Sequence, residues 1–316
     1  MEKKVLISLT VPCYNEQEAL PLFYHEADKI THDMEQLADF EFIFVDDGSK
    51  DNTLEVMRSL ASQDSRVRYI SFSRNFGKEA AMLAGLQAAN GDYTAIMDAD
   101  LQDPPSLLPE MFKAVTEEGY DCVATRRSTR KGEPVIRSMF ARLFYRMMKH
   151  ISKTEMVEGA RDFRLMSRQM TDAVLSVGEY NRFTKGIYSW VGFKTKWLEY
   201  ENIERVAGKT TFNFWKLFKY SLECIIAYST APLAFASISG FVFTLAAFIG
   251  IIAVIIRELI WHGSAYGWPS LVCIVLLIGG LQLFSIGILG QYLAKTYLET
   301  KRRPIYIVRE TEKSGK

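Results

Sequence analysis

The sequence predicts an α/β protein, with a doubly wound, mostly parallel sheet followed by an amphipathic interfacial helix and a two-span transmembrane helical hairpin. Three observations carry this prediction. Strand-like and helix-like segments alternate through residues 1–200, the pattern that builds parallel sheets. Polar and acidic residues cluster just after the strand-like segments, where such sheets hold ligands. No Asp, Glu, Lys or Arg occurs from Cys224 to Ile256, nor from Leu259 to Ala294.

Val5–Val11 is an apolar run closed by Pro12 and reads as the first strand. Glu16–Leu37 has helical spacing, and Phe40–Val45 is a strand ending in Asp46-Asp47-Gly48-Ser49. Asp51–Ser62 reads as helix, Val67–Phe72 as strand and the Ala- and Leu-rich Lys78–Ala89 as helix. Tyr93–Met97 follows as strand, Pro105–Glu117 as helix and Asp121–Thr125 as a fifth strand. Tyr14-Asn15-Glu16, Asp46-Asp47 and Asp98-Ala99-Asp100 fall at strand ends.

Pro232–Ile256 and Leu271–Leu293 are each long enough for a ~30 Å bilayer core. The break between them carries Arg257-Glu258, His262-Gly263-Ser264 and Gly267-Trp268-Pro269, a turn with aromatics at interface depth. Gly279, Gly280, Gly287 and Gly290 in the second span permit close helix contact, within the hairpin or between protomers in a homo-oligomer. Between Phe212 and Tyr228, Lys216, Lys219 and Glu223 share one helical face, and Trp215, Phe218, Leu222 and Ile226 another; this predicts a helix lying on the bilayer. Basic residues flank the hairpin on both sides: Arg205, Lys209, Lys216 and Lys219 before it, Lys295, Lys301, Arg302 and Arg303 after it. The positive-inside rule then places both flanks in the cytoplasm. The expected organisation is a soluble domain over 1–205, a juxtamembrane segment over 206–230, the hairpin over 231–294 and a basic tail over 295–316.

Several classes are excluded. With 38 Lys+Arg against 37 Asp+Glu, bulk electrostatics do not favour nucleic acid. The four cysteines form no CxxC pair and the four histidines no cluster, so neither zinc nor a redox dithiol is indicated. MEKKVLISLTVP is too short and too soon broken by Pro12 for a signal peptide. No G-x-G-x-x-G follows the first strand, which disfavours a dinucleotide site. Gly208-Lys209-Thr210 ends like a P-loop, but Ile203 stands where the earlier glycine is needed.

Asp98 and Asp100 are the strongest chemical signal. Alternate residues of an extended segment point to one side, so both carboxylates are expected to face one site. Two hard oxygen ligands at a strand end suit Mg²⁺ or Mn²⁺ carrying a diphosphate.

VPCYNE (11–16), VDDGSKDNT (45–53), SFSRNFGKEAAMLAG (71–85), MDADLQDPP (97–105) and DFRLMSR (162–168) together resemble family-2 glycosyltransferases. More narrowly, they resemble the bacterial polyprenyl-phosphate (bactoprenol) glycosyltransferases, relatives of dolichol-phosphate mannose synthase. The hairpin and the closing KRRPIYIV resemble the same group. The resemblance implies a GT-A fold and inverting transfer of a hexose, with glucose or N-acetylglucosamine favoured, from a UDP-sugar to undecaprenyl phosphate. It implies that Pro12, Tyr14, Asn15, Glu16, Asp46 and Asp47 line the nucleoside pocket and that Lys78 holds the nucleotide end. Asp98, Asp100 and Gln102 would hold the metal diphosphate, and Asp162 would be the carboxylate near the acceptor. Two departures stand out: Arg161 occupies the place of a usual glycine before Asp162, and the lysine of Gly208-Lys209-Thr210-Thr211 is displaced.

Bringing an anionic acceptor to an anionic donor requires cations. Arg126, Arg127, Arg137, Arg205 and Lys209 are the candidates for the acceptor phosphate, arginine by bidentate geometry. A processive polysaccharide synthase would carry a Q-x-x-R-W motif and more spans, neither of which occurs. A non-catalytic nucleotide-sugar-binding module would have no need of Asp98, Asp100 and Asp162 together.

Overall fold

The structure is a computed structural model, and it describes residues 4–127, 157, 159–200, 225–226, 229–261 and 267–313. Arg137, Arg205, Lys209, nearly all of the expected interfacial helix and the outer turn at 262–266 lie outside the described residues.

The N-terminal part follows the expected alternation: β1 (Val5–Cys13), α1 (Ala19–Asp33), β2 (Ala38–Asp46), α2 (Thr53–Gln63), β3 (Val67–Phe72), α3 (Lys78–Ala88), β4 (Tyr93–Ile96), α4 (Leu108–Thr116) and β5 (Cys122–Arg127). A short 3₁₀ turn at Pro105–Leu107 leads into α4. Then come β6 (Ala160–Ser167), α5 (Arg168–Ser176), α6 (Thr184–Trp190), β7 (Thr195–Tyr200), the long helices α7 (Ala231–Trp261) and α8 (Trp268–Thr300), and β8 (Val308–Thr311).

Among the described residues these strands form one eight-stranded sheet in the order β7-β5-β6-β4-β1-β2-β3-β8. β1 lies parallel to β2 and β4, and β2 parallel to β3. Their sequences are near-continuous apolar runs because both faces are covered. On one face Leu20, Phe23, Met57, Leu108 and Met111 of α1, α2 and α4 pack on Leu9, Phe42 and Phe44. On the other, Ala80, Ala81 and Ala84 of α3 pack on Ile43 and Val45, and Met170, Val174 and Ile187 of α5 and α6 on Ile96 and Cys122.

Two placements differ from simple alternation. The fifth strand does not join the parallel core directly. β6 intervenes, antiparallel to both β4 and β5, because its Phe163, Leu165 and Met166 supply a fully buried middle strand. The expected basic tail also returns to the sheet: β8 adds antiparallel to β3. Tyr306 stacks on Phe72 with ring centroids 4.7 Å apart, and Glu310 takes both Arg58 Nε (2.9 Å) and Nη2 (2.7 Å). β8 thus covers an edge that would otherwise present unpaired backbone groups.

α7 and α8 are long and apolar enough to cross a membrane. Their apolar side chains point outward, with Phe241 70% and Leu283 72% exposed, so they are not core helices of a soluble domain. Tyr292, near the end of α8, donates to the Ser229 carbonyl just before α7 at 2.5 Å, closing a helical hairpin. After α8 the chain rejoins the sheet as β8.

Removing residues 304–316 should therefore lower the thermal stability of the detergent-solubilised protein by several degrees and promote aggregation through the bared β3 edge. An unchanged melting temperature and monodisperse behaviour would show that β8 is dispensable.

Candidate active site

β1, β2 and β4 end at one edge of the sheet, and the loops that follow are sewn together. Asp47 N–H donates to the Cys13 carbonyl at 2.9 Å. Asn15 N–H donates to Ser49 Oγ (2.9 Å), while Asn15 Oδ1 accepts from Lys50 N–H (2.8 Å) and Thr53 Oγ1 from Glu16 N–H (2.8 Å). Asn15 takes a left-handed backbone, φ 56°, which asparagine tolerates better than most residues. Tyr14 stands exposed beside it and Pro12 is half-buried.

The two neighbouring aspartates do different work. Asp46, 2% exposed, accepts from Ser49 N–H (2.9 Å) and Ser71 Oγ (2.7 Å), so its carboxylate caps the turn and ties β2 to β3. Asp47 accepts from the N–H groups of Phe76 (2.6 Å) and Gly77 (2.9 Å), gripping the loop that leads into α3. Burial pushes its carboxyl up to about 6 against those two donors. Gly48, at φ +65°, lies under this loop; a Cβ there would meet the Arg74 carbonyl carbon at 2.4 Å.

β4 and β6 set the centre. Ile96 pairs with Arg164 at the end of the antiparallel register, and just beyond it Asp98 and Asp162 converge on one lysine. Like charges brought close together repel. Lys78, the first residue of α3, resolves this: its Nζ lies 2.6 Å from Asp98 Oδ1 and 2.6 Å from Asp162 Oδ2. Lys185 of α6 approaches Asp162 Oδ1 at 3.5 Å. Burial alone would raise the Asp162 carboxyl, but Lys78 and Lys185 hold it well below the usual carboxylate range. Burial likewise works against a charged Lys78, and Asp162 and Asp98 overcome it, holding the ammonium above its ordinary value. Behind them Arg164, 3% exposed, lies 3.5 Å over the Tyr188 ring.

The extended-segment argument for Asp98 and Asp100 does not survive. β4 stops at Ile96, residues 99–100 form a turn, and Leu101 sits at φ 55°. What brings Asp98 a partner is Lys78, which bridges it to Asp162. Asp100, 8% exposed, accepts from Gln102 N–H at 3.1 Å. Gln102 Oε1 accepts from Arg127 Nη2 (3.0 Å) and Arg161 Nη2 (3.5 Å), so in this structure its amide oxygen serves two arginines. Arg161 also donates through Nε to the fully buried Asp103 (2.8 Å), which Tyr200 hydroxyl joins. The residue that departs from the family pattern is thus a brace for the 98–103 loop. Arg126 pairs with Glu199, its register partner on β7, both partly exposed at the sheet edge.

Sequence reasoning missed Lys185 and Glu79. Glu79 accepts from Thr184 N–H (2.9 Å) and from its hydroxyl, so adjacent residues, Lys78 and Lys185, converge on Asp162. Neither residue sits at a strand end, the signal by which the others were found.

Among the described residues no group of three or more His, Cys, Asp or Glu could cage a metal. The donor set nevertheless fits a hard divalent ion carried with a diphosphate, because such an ion takes few protein carboxylates and completes its shell with substrate oxygens and water. The Lys78 ammonium on Asp98 demonstrates that this end of the sheet holds a cation.

A mixed, mostly parallel sheet, a carboxylate pair at its strand ends and an apolar helical hairpin define a membrane-associated GT-A type transferase fold. Residues 8–175 match the family model described as glycosyl transferase family 2. The chain is 42% identical over 309 residues to a prophage bactoprenol glucosyl transferase homolog of Escherichia coli (strain K12), covering 97% of this chain and 99% of that protein. It is 41% identical over 308 residues to CsbB of Bacillus subtilis (strain 168), named only as a glycosyltransferase, covering 98% and 92%. It is 40% identical over 311 residues to the bactoprenol glucosyl transferase of Shigella phage SfII, covering 98% and 99%. The chain belongs to glycosyltransferase family 2.

Lys78→Ala tests the centre through pH. In the intact protein Asp162 is depressed, so its stabilising share is complete above the unfolded carboxyl value of about 4 and drains below it. Without Lys78 the Asp162 carboxyl loses the largest of the charges that depress it, and most of that share goes with it. The melting-temperature gap between protein and variant should open above that pH and close towards acid. A gap constant from pH 3 to 8 would mean that Lys78 does not neutralise the pair.

Proposed function

We propose that the protein transfers a hexose, glucose or N-acetylglucosamine, from a UDP-sugar to undecaprenyl phosphate with inversion, at the cytoplasmic face of a bacterial membrane. The carrying observation is the Asp98–Lys78–Asp162 centre on a sheet that the chain rejoins after an apolar hairpin. Relatives of nearly the same length, named bactoprenol glucosyl transferases, support the polyprenyl carrier. The proposed division is that of the sequence reading: 1–205 catalytic, 206–230 juxtamembrane, 231–294 spanning and 295–316 on the catalytic side.

In this reading Pro12, Tyr14, Asn15, Glu16 and Asp47 line the nucleoside pocket, with the ionised Asp47 accepting from a nucleobase N–H. Asp98 and Asp100 hold Mg²⁺ or Mn²⁺, which would neutralise the departing diphosphate when bound. Lys78 supplies a further positive charge at the same end. The acceptor phosphate is mostly dianionic at neutral pH, its second pKa being ~6, and is already a nucleophile. Asp162 is held so far below the ordinary range that it stays ionised and is a poor proton acceptor. Its role is therefore to fix Lys78 and Lys185 and balance charge, not to remove a proton. One displacement at the anomeric carbon turns an α-linked donor into a β-linked polyprenyl-phosphate sugar. Arg127, with Arg137, Arg205 and Lys209, is assigned to the acceptor phosphate. Among the described residues Arg127 Nε has no hydrogen-bond partner, which leaves it a donor for an anion. A homo-oligomer through α8 belongs to the same reading, since a Cβ at Gly279, Gly280, Gly287 or Gly290 meets nothing within 4 Å.

Labelled UDP-sugar, undecaprenyl phosphate and Mg²⁺ or Mn²⁺ should carry label into the organic phase. Running UDP-glucose against UDP-N-acetylglucosamine assigns the sugar. EDTA should abolish transfer, and Asp98→Asn should reduce it by at least ten- to a hundred-fold, the cost of about 1.5–3 kcal/mol for a charge-assisted contact. Full activity in EDTA would remove the metal, and no organic-phase label with any UDP-sugar would remove the acceptor.

A further inference from the structure

α8 has 33 residues, about 50 Å at 1.5 Å per residue, against a bilayer core of ~30 Å. The charge-free stretch Leu271–Leu293 by itself covers that core, which leaves the last turns, carrying Lys295 and Glu299, for the headgroup level or beyond it. There the helix makes a specific grip on the catalytic domain. Glu299 Oε2 accepts from Tyr180 N–H at 2.9 Å, and Oε1 accepts from Asn181 N–H and Asn181 Nδ2, both at 3.0 Å. Asn181 Nδ2 also reaches the Lys295 carbonyl at 3.4 Å. One carboxylate thus chelates two consecutive backbone N–H groups, the charge-assisted geometry that is both strong and directional.

The gripped residues lead straight to the transfer centre. Three residues after Asn181, Thr184 opens α6 and is held by Glu79, the neighbour of Lys78. The next residue, Lys185, reaches Asp162 at 3.5 Å and the Ala160 carbonyl at 3.1 Å. Residues 180–185 are thus a short arm between the membrane helix and the two carboxylates. A second hold lies elsewhere on the sheet, where β8 pairs with β3. A single hold at that edge would leave the sheet free to tilt about it; a second one at residues 180–181 removes that freedom. Because β8 remains, losing the Glu299 grip should not release or unfold the domain.

We infer that Glu299 is a positioning residue: it hangs the arm carrying Lys185 from the membrane helix and so sets the height of the Asp98–Lys78–Asp162 centre over the bilayer. This rests on the proposed use of a membrane-borne acceptor. A long prenyl phosphate cannot rise to meet a misplaced site, because each CH₂ drawn from the bilayer costs ~0.8 kcal/mol. A short, water-soluble prenyl phosphate can diffuse to it. The two acceptors therefore separate positioning from chemistry.

The test uses the full chain in nanodiscs, with Glu299→Ala and Glu299→Gln. Glu299→Ala should speed amide hydrogen exchange in residues 178–184. It should raise KM for undecaprenyl phosphate roughly tenfold. KM for the UDP-sugar and kcat with the short soluble acceptor should stay within about twofold. Glu299→Gln keeps an acceptor oxygen and should recover part of the loss. Equal losses with long and short acceptors would reduce Glu299 to a stability role and overturn the inference, as would unchanged exchange at 178–184. If the intact protein uses neither prenyl phosphate, the proposed function fails, and the height-setting role fails with it even where the exchange result upholds the grip itself.

Discussion

Two carboxylates, Asp98 just past the end of β4 and Asp162 on β6, come close together, and a lysine stands between them. Much of the catalytic end follows from that bridge. Lys78 can serve only if α3 begins where it does. Asp47 fixes that start by gripping Phe76 and Gly77 N–H, and Gly48 leaves room for the loop to pass. Lys185 adds a second cation from α6, held in place by Glu79. Buried charges persist when paired in good geometry, and removing one partner of such a set is costly. The arrangement is therefore both a structural joint and the most polar, charge-dense point at the strand ends.

The same centre is tied to the membrane helices. The chain leaves the sheet, forms the hairpin of α7 and α8, and returns as β8. Glu299 grips the loop before α6, and Glu310 and Tyr306 seat the tail on β3. A transferase whose acceptor cannot leave the bilayer needs its site at a defined height, and a sheet held at two separate places supplies one.

The parallel core was legible in the sequence because its signals are local. FEFIFV and the apolar run of Val5–Val11 announce strands, and the polar residues after them mark the ligand edge. β6 was visible only as the motif DFRLMSR: its role as an inserted antiparallel strand depends on pairing with β4, which no local pattern encodes. β8 is four residues long and hidden behind a basic run, so its strand character appears only when β3 offers an edge. The aspartates were found for a partly mistaken reason. Asp98 and Asp100 do not lie on one extended segment, and Lys78 instead joins Asp98 to Asp162. Asp46 looked like its neighbour Asp47, and in this structure it accepts from Ser49 and Ser71. Gln102 looked like a ligand, and in this structure its oxygen serves two arginines.

The account stands on the coupling between Lys78 and Asp162. A double-mutant cycle of Lys78→Ala, Asp162→Ala and the pair, read as unfolding free energy at pH 7, measures it directly. The predicted result is strong non-additivity: each single change takes from the other side chain its nearest opposite charge, while the double change costs less than the sum by more than about 1 kcal/mol. Additivity within about 0.3 kcal/mol would show that the two side chains do not depend on each other, and would contradict the account.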